Sequence, residues 1–290
     1  MDIVIVAAKR TPMGAFQGAL SALGAPELGA CAIRAALAQA GMTGEQVNEV
    51  YMGNVLSAGV GQAPARQAAL KGGLPDSVPC TTINKVCGSG MKAVMLAADS
   101  LRLGEAEVVV AGGMESMSRA PYLLDKARSG FRMGHQSVLD HMFLDGLQDA
   151  YEGHLMGHYA QLSADRSGLT RADMDAFAIA SLERALTAQR SGAFAAELAP
   201  VMTSEDTLLL AEDEQPGKAR PDKIPGLKPA FSKHGTITAA NASSISDGAA
   251  ALVLMRGETA AQLGLPVLAR VVGYQKIGRA SCRERVSSPV

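Results

Sequence analysis

Several features that the chain lacks exclude whole classes of protein. Its 290 residues contain four cysteines and no Cys-x-x-Cys pair, so neither a disulfide framework nor a structural zinc site is expected. No stretch approaches the ~20 consecutive apolar residues of a membrane-spanning helix. The opening MDIVIVAAKRTP lacks the order of charged and apolar residues found in a signal peptide. A formal net charge of -1 gives no overall field that would attract nucleic acid or an anionic membrane. The sequence therefore predicts a cytoplasmic protein that binds neither.

What is present is an alternation of short apolar runs with helical patterns. Strands are predicted at 2–8, 49–56, 79–86 and 106–113, and helices near 27–40, 63–71 and 88–102. Apolar strands separated by crossover helices are typical of an α/β domain whose sheet is covered on both faces. We therefore expect a mixed or mostly parallel sheet, and the 48% hydrophobic content suffices for a sizeable core.

The middle of the chain has a different character. Helical patterns near 158–167 and 171–190 precede a stretch rich in proline and charge. The strand pattern then returns in DGAAALVLM, at 247–255, and again at 267–274. We therefore predict that residues 119–246 are an insertion, and that 1–118 and 247–274 form one α/β domain.

One cysteine, Cys87, lies between a β-branched run and two glycines that open an apolar helix, in the stretch TINKVCGSGMKAV. A thiol attacks as the thiolate, and a helix N-terminus favours this anion because its N–H groups and dipole are positive. Gly88 and Gly90 would let a substrate carbonyl approach the backbone, where an N–H group can bind a developing oxyanion. The pattern indicates a nucleophile turn, on a helix expected to be buried on nearly all sides.

Two other interpretations of this stretch stay open on the residues alone. Cys87 could be a small core residue, with the glycines serving close packing of strand and helix. The spacing GxGxxA, with Glu107 further on, also fits a dinucleotide-binding loop, although such a loop normally follows the first strand of its unit rather than the third. Cys31 and Cys80 have no comparable setting, and both are expected in the core.

Five motifs in a fixed order closely resemble those of the thiolase family, which includes acetyl-CoA acetyltransferases and 3-ketoacyl-CoA thiolases. They are VIVAAKRTPMGAF, NKVCGSGMKAV, AGGMESMSRAP, LMGHYAQ and LKPAFSKHGTITAANASSISDGAAA, and the resemblance covers about residues 1–274. It implies a thiolase-like layered α/β fold, with one βαβαβ-type half and an inserted helical and loop domain. It also implies a C-acyltransferase that moves an acyl group between CoA thioesters through a thioester on Cys87.

The resemblance further implies that the inserted segment binds CoA. Substrate contacts are implied for Ser243 of NASS near the pantetheine, Met156 of LMG in the acyl pocket, Arg220 (with Lys218) at the phosphates, and Gly88. A turn serine, a core methionine and a solvated charge cluster are the alternatives for the first three. Many thiolases carry a histidine where this chain has Leu155. The resemblance therefore implies that CoA thioesters are substrates, and no cofactor or metal is expected. It also implies that the full-length protein forms a dimer or a tetramer.

The resemblance ends near residue 274. Thiolases continue into a second half that supplies a Gly-His-Pro histidine and a second cysteine in a CxGGG-like motif, and neither motif occurs in these 290 residues. The stretch KIGRASCRERVSSPV, which contains Cys282, resembles translated foreign sequence such as an adapter joint. We therefore expect 275–290 to be a non-family tail, and the chain to be a truncated thiolase that is inactive in condensation on its own. A ketoacyl-synthase-type condensing enzyme and a non-catalytic CoA-binding fragment are the alternatives.

Overall fold

A computed structural model describes residues 2–203 and 205–275, and the predicted tail, apart from residue 275, lies outside the described residues. The described chain forms two compact units. The first contains residues 2–119, 194–203, 205–214 and 246–275, and the second contains residues 120–193 and 215–245. The predicted insertion is thus divided, because most of its stretch 194–214 is grouped with the first unit. The CoA-binding role of the insertion stays a prediction.

The elements have the following bounds. The strands are β1 (Ile3–Arg10), β2 (Gly14–Ala15), β3 (Glu49–Gly53), β4 (Cys80–Ile83), β5 (Val108–Ser116), β6 (Tyr122–Leu123), β7 (Leu139–Asp140), β8 (Val201–Met202), β9 (Leu208–Leu210), β10 (Ser246–Arg256) and β11 (Ala269–Arg270). The helices are α1 (Ala25–Ala40), α2 (Pro64–Lys71), α3 (Ser89–Leu103), α4 (Met156–Arg166), α5 (Arg171–Arg190), α6 (Glu214–Lys218) and α7 (Gly257–Gln262). Short 3-10 turns lie at Gly44–Gln46, Met117–Arg119, Ala127–Ser129 and Pro221–Gly226, and a π-helical turn lies at Met142–Leu147.

One mixed sheet forms the first unit. Its strand order is β11-β1-β10-β5-β3-β4, with β2 paired to β10. Strand β3 is parallel to β4 and β5, whereas β10 is antiparallel to β1, β2 and β5. The predicted mixed sheet is confirmed, and the strand predicted at 247–255 is β10, which lies between β1 and β5. The strand predicted at 267–274 is shorter than expected, because only Ala269 and Arg270 pair with β1.

Apolar side chains cover both faces of this sheet, as predicted. On one face, α1 and α2 bury residues such as Ile33 and Ala68 against Val50 and Val110. On the other face, α3 buries Leu101 and its small neighbours against the opposite side chains of β5 and β10. Each fully buried Leu or Ile contributes about 1.5–3 kcal/mol relative to an exposed one, so both helical layers are firmly attached to the sheet.

The prediction that α3 is buried on nearly all sides is wrong. Met91 is 66% exposed and Leu103 is 74% exposed, while Ala93, Ala97 and Leu101 are fully buried. The buried positions recur every three or four residues, which is the period of one helix face packed on a sheet. Helix α3 therefore exposes Met91 and Leu103 near its two ends, together with the charged side chain of Arg102.

Arg10, the last residue of β1, explains why the segment 194–214 belongs to the first unit. Its Nε donates to Glu197 at 2.7 Å, and its two terminal nitrogens donate to Asp213 at 2.7 and 3.0 Å. The main chain adds Arg10 N to Glu197 O at 2.9 Å and Ala199 N to Arg10 O at 2.8 Å. A paired guanidinium fork of this kind gives both charge and fixed geometry. The segment is therefore attached to the edge of β1.

Candidate active site

The turn between β4 and α3 carries Cys87, whose side chain is exposed. Val86, immediately before it, has a positive φ of 49°. This left-handed conformation is unfavourable for a β-branched residue and costs on the order of 1–3 kcal/mol. The Asn84 side chain stabilises it in part, because Asn84 Oδ1 accepts a hydrogen bond from Val86 N at 3.0 Å. A strained, tightly bonded turn therefore presents the thiol to solvent.

Ser89, the first residue of α3, forms two further bonds across the same turn. Its Oγ accepts from Lys85 N at 2.8 Å and donates to Val86 O at 2.5 Å. The side chain is only 5% exposed, so water competes little for these bonds. Gly88 N donates to Lys85 O at 3.1 Å, so this N–H group is already engaged within the turn. The substrate contact expected of Gly88 stays a prediction.

Close packing of the α3 N-terminus on the sheet fixes where the turn lies. A Cβ added at Gly53, the last residue of β3, would lie 2.6 Å from Ser89 Cβ and 2.8 Å from Gly90 N. Only glycine leaves room for this approach. The glycine that this packing requires is Gly53, whereas a Cβ added at Gly90 would lie in ordinary contact, 3.7 Å from Gly112 O. The Cys87 thiol beside them is exposed, so the interpretation of Cys87 as a core residue is wrong.

The other two cysteines in the described residues have a different environment. Cys31 and Cys80 are half-buried, and Cys80 packs against the core at the start of β4. Burial raises the pKa of the Cys31 thiol, with Arg34 opposing the effect. Burial also raises the pKa of the Cys80 thiol, against a smaller lowering by Arg66. Both thiols are therefore less reactive than an ordinary exposed thiol at neutral pH.

Asn54 and Glu115 lie near the carboxyl ends of β3 and β5, the edge of the sheet at which β4 leads into the Cys87 turn. Asn54 Nδ2 donates to the Glu115 carboxylate at 2.8 Å, and Val55 N and Leu56 N donate to it at 2.9 and 3.0 Å. Asn54 N also bonds Ile83 O at 3.0 Å. These contacts connect the ends of three parallel strands beside the Cys87 turn. Apart from the motif GGMES, no sequence pattern indicates these contacts.

In the second unit, Met156 is half-buried at the start of α4. The first turn of α4 lies against Phe231, because a Cβ added at Gly157 would be 2.2 Å from that ring. Leu155, where many thiolases have a histidine, has extended backbone and precedes the helix. Met156 is thus in a tightly packed turn, and its place in an acyl pocket stays a prediction.

Ser243 is exposed on a loop that buried polar side chains attach to α4 and α5. Gln161 Oε1 accepts from Thr236 N at 2.8 Å, and its Nε2 donates to Thr236 Oγ1 at 3.0 Å. Asn241 Oδ1 accepts from Thr238 N at 2.7 Å, while Asn241 Nδ2 donates to Asp175 at 3.2 Å. Paired buried polar groups specify one geometry. These bonds hold the loop at Asn241, and Ser243 lies two residues beyond it.

Arg220 and Lys218 are exposed near the 3-10 turn Pro221–Gly226. Arg171 connects this turn to α5, because its guanidinium donates to Ile224 O at 3.0 Å and to Asp175 at 2.7 Å. The segment is therefore fixed to the same helix as the Ser243 loop. Arg220, Met156 and Ser243 belong to the second unit, and Cys87 and Gly88 belong to the first.

All five histidines belong to the second unit. His141 is buried and bonds Asp145 at 2.5 Å, and His154 stacks on His158 with ring centroids 4.2 Å apart. His135 and His234 are exposed. Within residues 2–203 and 205–275, no cluster of three or more His, Cys, Asp or Glu side chains could hold a metal ion. Nor does any helix in that part of the chain have the length and apolar character to cross a membrane.

Comparison with known proteins gives a consistent result. The family model for the thiolase N-terminal domain matches residues 3–258. An acetyl-CoA acetyltransferase of Pseudomonas aeruginosa is 51% identical over 281 residues, which cover 96% of this chain and 72% of that protein. Acetyl-CoA acetyltransferase 2 of Arabidopsis thaliana is 54% identical over 278 residues, 94% of this chain and 69% of that protein. An acetyl-CoA acetyltransferase of Escherichia coli is 49% identical over 281 residues, 96% and 71% respectively. The chain belongs to the thiolase family.

Proposed function

We propose that the chain is a thiolase-type C-acyltransferase in which Cys87 carries the acyl group. The observation that supports this most strongly is the exposed thiol on a strained turn at the start of α3, in a chain that belongs to the thiolase family. The overall reaction is condensation of two acetyl-CoA molecules to acetoacetyl-CoA, or thiolysis of a 3-ketoacyl-CoA. Family membership also favours this function over a dinucleotide-binding loop or a ketoacyl synthase.

The chemistry has two steps. In the first, the Cys87 thiolate attacks the thioester carbonyl, the carbon–sulfur bond to CoA breaks, and CoA leaves as a thiol after gaining a proton. In the second, the C2 carbanion of another acetyl-CoA attacks the Cys87 thioester, a carbon–carbon bond forms, and the Cys87 thiolate is released. The C2 proton passes to a general base. The α3 N-terminus favours the thiolate in both steps because its dipole is positive there.

The substrate is the CoA thioester itself, so the proposed reaction needs no resident cofactor. We place the CoA contacts on the second unit, at Ser243, Met156 and Arg220. Two features support this proposal: the Ser243 loop and the Arg220 turn are both attached to α5, and Arg220 is an exposed cation suited to a phosphate. The cytoplasm is the proposed compartment, and a dimer or tetramer is the proposed assembly of the full-length enzyme.

A non-catalytic CoA-binding role is the second candidate. It is favoured by one observation, that the residues expected to contact CoA belong to the second unit whereas Cys87 belongs to the first, so binding does not itself require the thiol. The two candidates differ in the first chemical step, because a binding protein would hold acetyl-CoA without forming a thioester on Cys87.

Isotope exchange between labelled CoA and unlabelled acetyl-CoA tests the proposal without requiring condensation. We expect exchange with the chain and none with C87A, because exchange requires reversible formation of the Cys87 thioester. The C31A variant is the matched control and should exchange at the same rate as the parent. Binding of acetyl-CoA with no exchange would favour the second candidate, and equal exchange by C87A and the parent would exclude Cys87 as the acyl carrier.

A further inference from the structure

Ser89 forms the connection between the strained turn and α3. It lies three residues after Val86, whose φ is positive, and two residues after Cys87. In the same turn, Gly88 N donates to Lys85 O at 3.1 Å. Its hydroxyl is bonded at both ends, as acceptor from Lys85 N at 2.8 Å and as donor to Val86 O at 2.5 Å. The main chain of Ser89 bonds the same carbonyl, because Ser89 N donates to Val86 O at 3.1 Å.

These bonds hold Val86 in its strained conformation with positive φ. Left free, Val86 would relax toward negative φ, and the peptide that joins it to Cys87 would rotate and turn the thiol in a different direction. The exposed Asn84 side chain accepts a hydrogen bond from Val86 N, whereas the buried Ser89 hydroxyl donates to Val86 O. A buried bond is the stronger constraint, because water competes with it less.

The environment of Ser89 leaves it little freedom. The site of a Cβ at Gly53 is 2.6 Å from Ser89 Cβ, so β3 packs directly on this residue. Its side chain is therefore anchored to the sheet while its hydroxyl bonds the turn. Because Ser89 is held by the sheet and bonds the turn, it can restrict the movement of the Cys87 thiol.

We propose that Ser89 is a positioning residue for Cys87, and that its hydroxyl keeps the turn in the strained conformation from which the thiol attacks. The inference rests on the proposed function, since it assumes that Cys87 attacks a thioester. Ser89 does not itself contact the reacting atoms in this mechanism. Its effect is on the direction of Cys87 Sγ, for which small displacements have large kinetic consequences.

The chain offers a matched control in the same helix. Ser100 is also buried in α3, and its Oγ also forms a side-chain hydrogen bond, to Glu49 at 2.9 Å. S89A and S100A therefore remove the same atom from the same helix, but only S89A removes bonds to the turn. A purely structural role would make the two variants equivalent in their effect on Cys87.

The test is the single-turnover rate of acetyl transfer from acetyl-CoA to Cys87, with unfolding midpoints measured in parallel. We expect S89A to lower the rate at saturating acetyl-CoA by about tenfold with little change in half-saturation, and S100A to leave it unchanged. V86G should restore much of the rate in the S89A background, because glycine adopts positive φ without strain. Equal rates for S89A and S100A, or no rescue by V86G, would overturn the proposal.

Two further outcomes are also decisive. Should the parent chain not accept an acetyl group, the proposed function fails. Iodoacetamide modification of Cys87 in the parent, S89A, S100A and V86G/S89A then decides the role of Ser89. Slower modification in S89A with recovery in V86G/S89A supports it, and equal rates exclude it. Should S89A be too unstable to assay, we expect V86G to restore folding in the S89A background and to give no comparable gain of stability in the S100A background. An equal gain in both backgrounds contradicts the coupling.

Discussion

At the scale of single residues, the environment of each thiol determines what it can do. Cys87 is exposed on a strained turn, whereas Cys31 in α1 and Cys80 in β4 are half-buried. Burial raises the pKa of both half-buried thiols. The three cysteines in the described residues should therefore differ in reactivity in a way that depends on pH.

We predict that iodoacetamide modifies Cys87 first at pH 7.5, and modifies Cys31 and Cys80 only as the pH rises above the usual thiol pKa of about 8.5. A raised pKa leaves less thiolate at a given pH, so the two slow thiols should gain reactivity over a higher pH range. Peptide mapping by mass spectrometry in a C282S background measures all three rates. Equal modification of the three thiols in the folded protein at pH 7.5 would contradict the prediction.

The sequence predicts Cys87 but not the residues that support it. A cysteine before GSG at the start of an apolar helix is a local pattern, so it can be recognised without the fold. The positive φ of Val86 is not local, because the bonds from Ser89 and the packing of β3 on α3 impose it. Likewise, Gln161 and Asp175 look like ordinary surface residues of helices until the loop that they bond is seen.

At the scale of elements, glycine at the end of β3 decides how closely α3 approaches the sheet. We predict that G53A lowers the free energy of unfolding by about 1–3 kcal/mol, because the new methyl group would overlap Ser89 and the backbone of Gly90. It should also slow the modification of Cys87, since the helix must move.

G217A is the matched control for this prediction. Gly217 has nothing within 4 Å of its added Cβ and does not have a positive φ, so its replacement should leave stability unchanged or slightly higher. Urea unfolding of both variants measures the difference. An unfolding midpoint for G53A equal to that of G217A would show that the close approach does not constrain α3.

The link between Arg10 and Asp213 predicts a dependence of stability on pH. Burial alone would raise the pKa of Asp213, but hydrogen bonds from Arg10 and from Met13 N outweigh it and hold the pKa below its usual range. A carboxyl group whose pKa is lowered on folding adds stability that is complete above the unfolded value of about 3.9 and is lost as the pH falls through the folded value.

We therefore predict that D213N is less stable than the parent at pH 6, and that the difference narrows as the pH falls below the unfolded value of about 3.9. Urea unfolding from pH 3 to pH 7 measures it, with hydrogen exchange of the Met13 amide as a local readout. E205Q, at an exposed carboxyl group, is the control and should show no such trend. A difference between D213N and parent that stays constant across this range would contradict the assigned cause.

Element prediction succeeded where the pattern was strong. Long apolar strands such as β1, β5 and β10 were predicted because they are buried on both faces. The exposure of Met91 and Leu103 was not predicted, because a helix with few charges has the same pattern whether one face or all faces are covered. The short extent of β11 depends on its pairing with β1, which no local signal specifies.

At the scale of the whole molecule, the chain matches about 70% of the length of its relatives, with one α/β unit and a second unit that carries the proposed CoA contacts. The first unit contains the Cys87 thiol, and the second contains the exposed side chains of Ser243 and Arg220. The resemblance in five motifs predicted the family correctly. The motifs could not predict that most of the segment 194–214 joins the first unit, because this depends on the pairing of Arg10 with Asp213.

The central claim is that Cys87 receives an acyl group from a CoA thioester. The most direct measurement is to mix the chain with isotopically labelled acetyl-CoA, quench in acid, and locate the label by peptide mass spectrometry, with C87A and C31A in parallel. We predict one acetyl group per chain on the peptide containing Cys87, labile to hydroxylamine as a thioester, present in C31A and absent in C87A. An unlabelled Cys87 peptide, or equal labelling of the parent and C87A at another residue, would contradict the account.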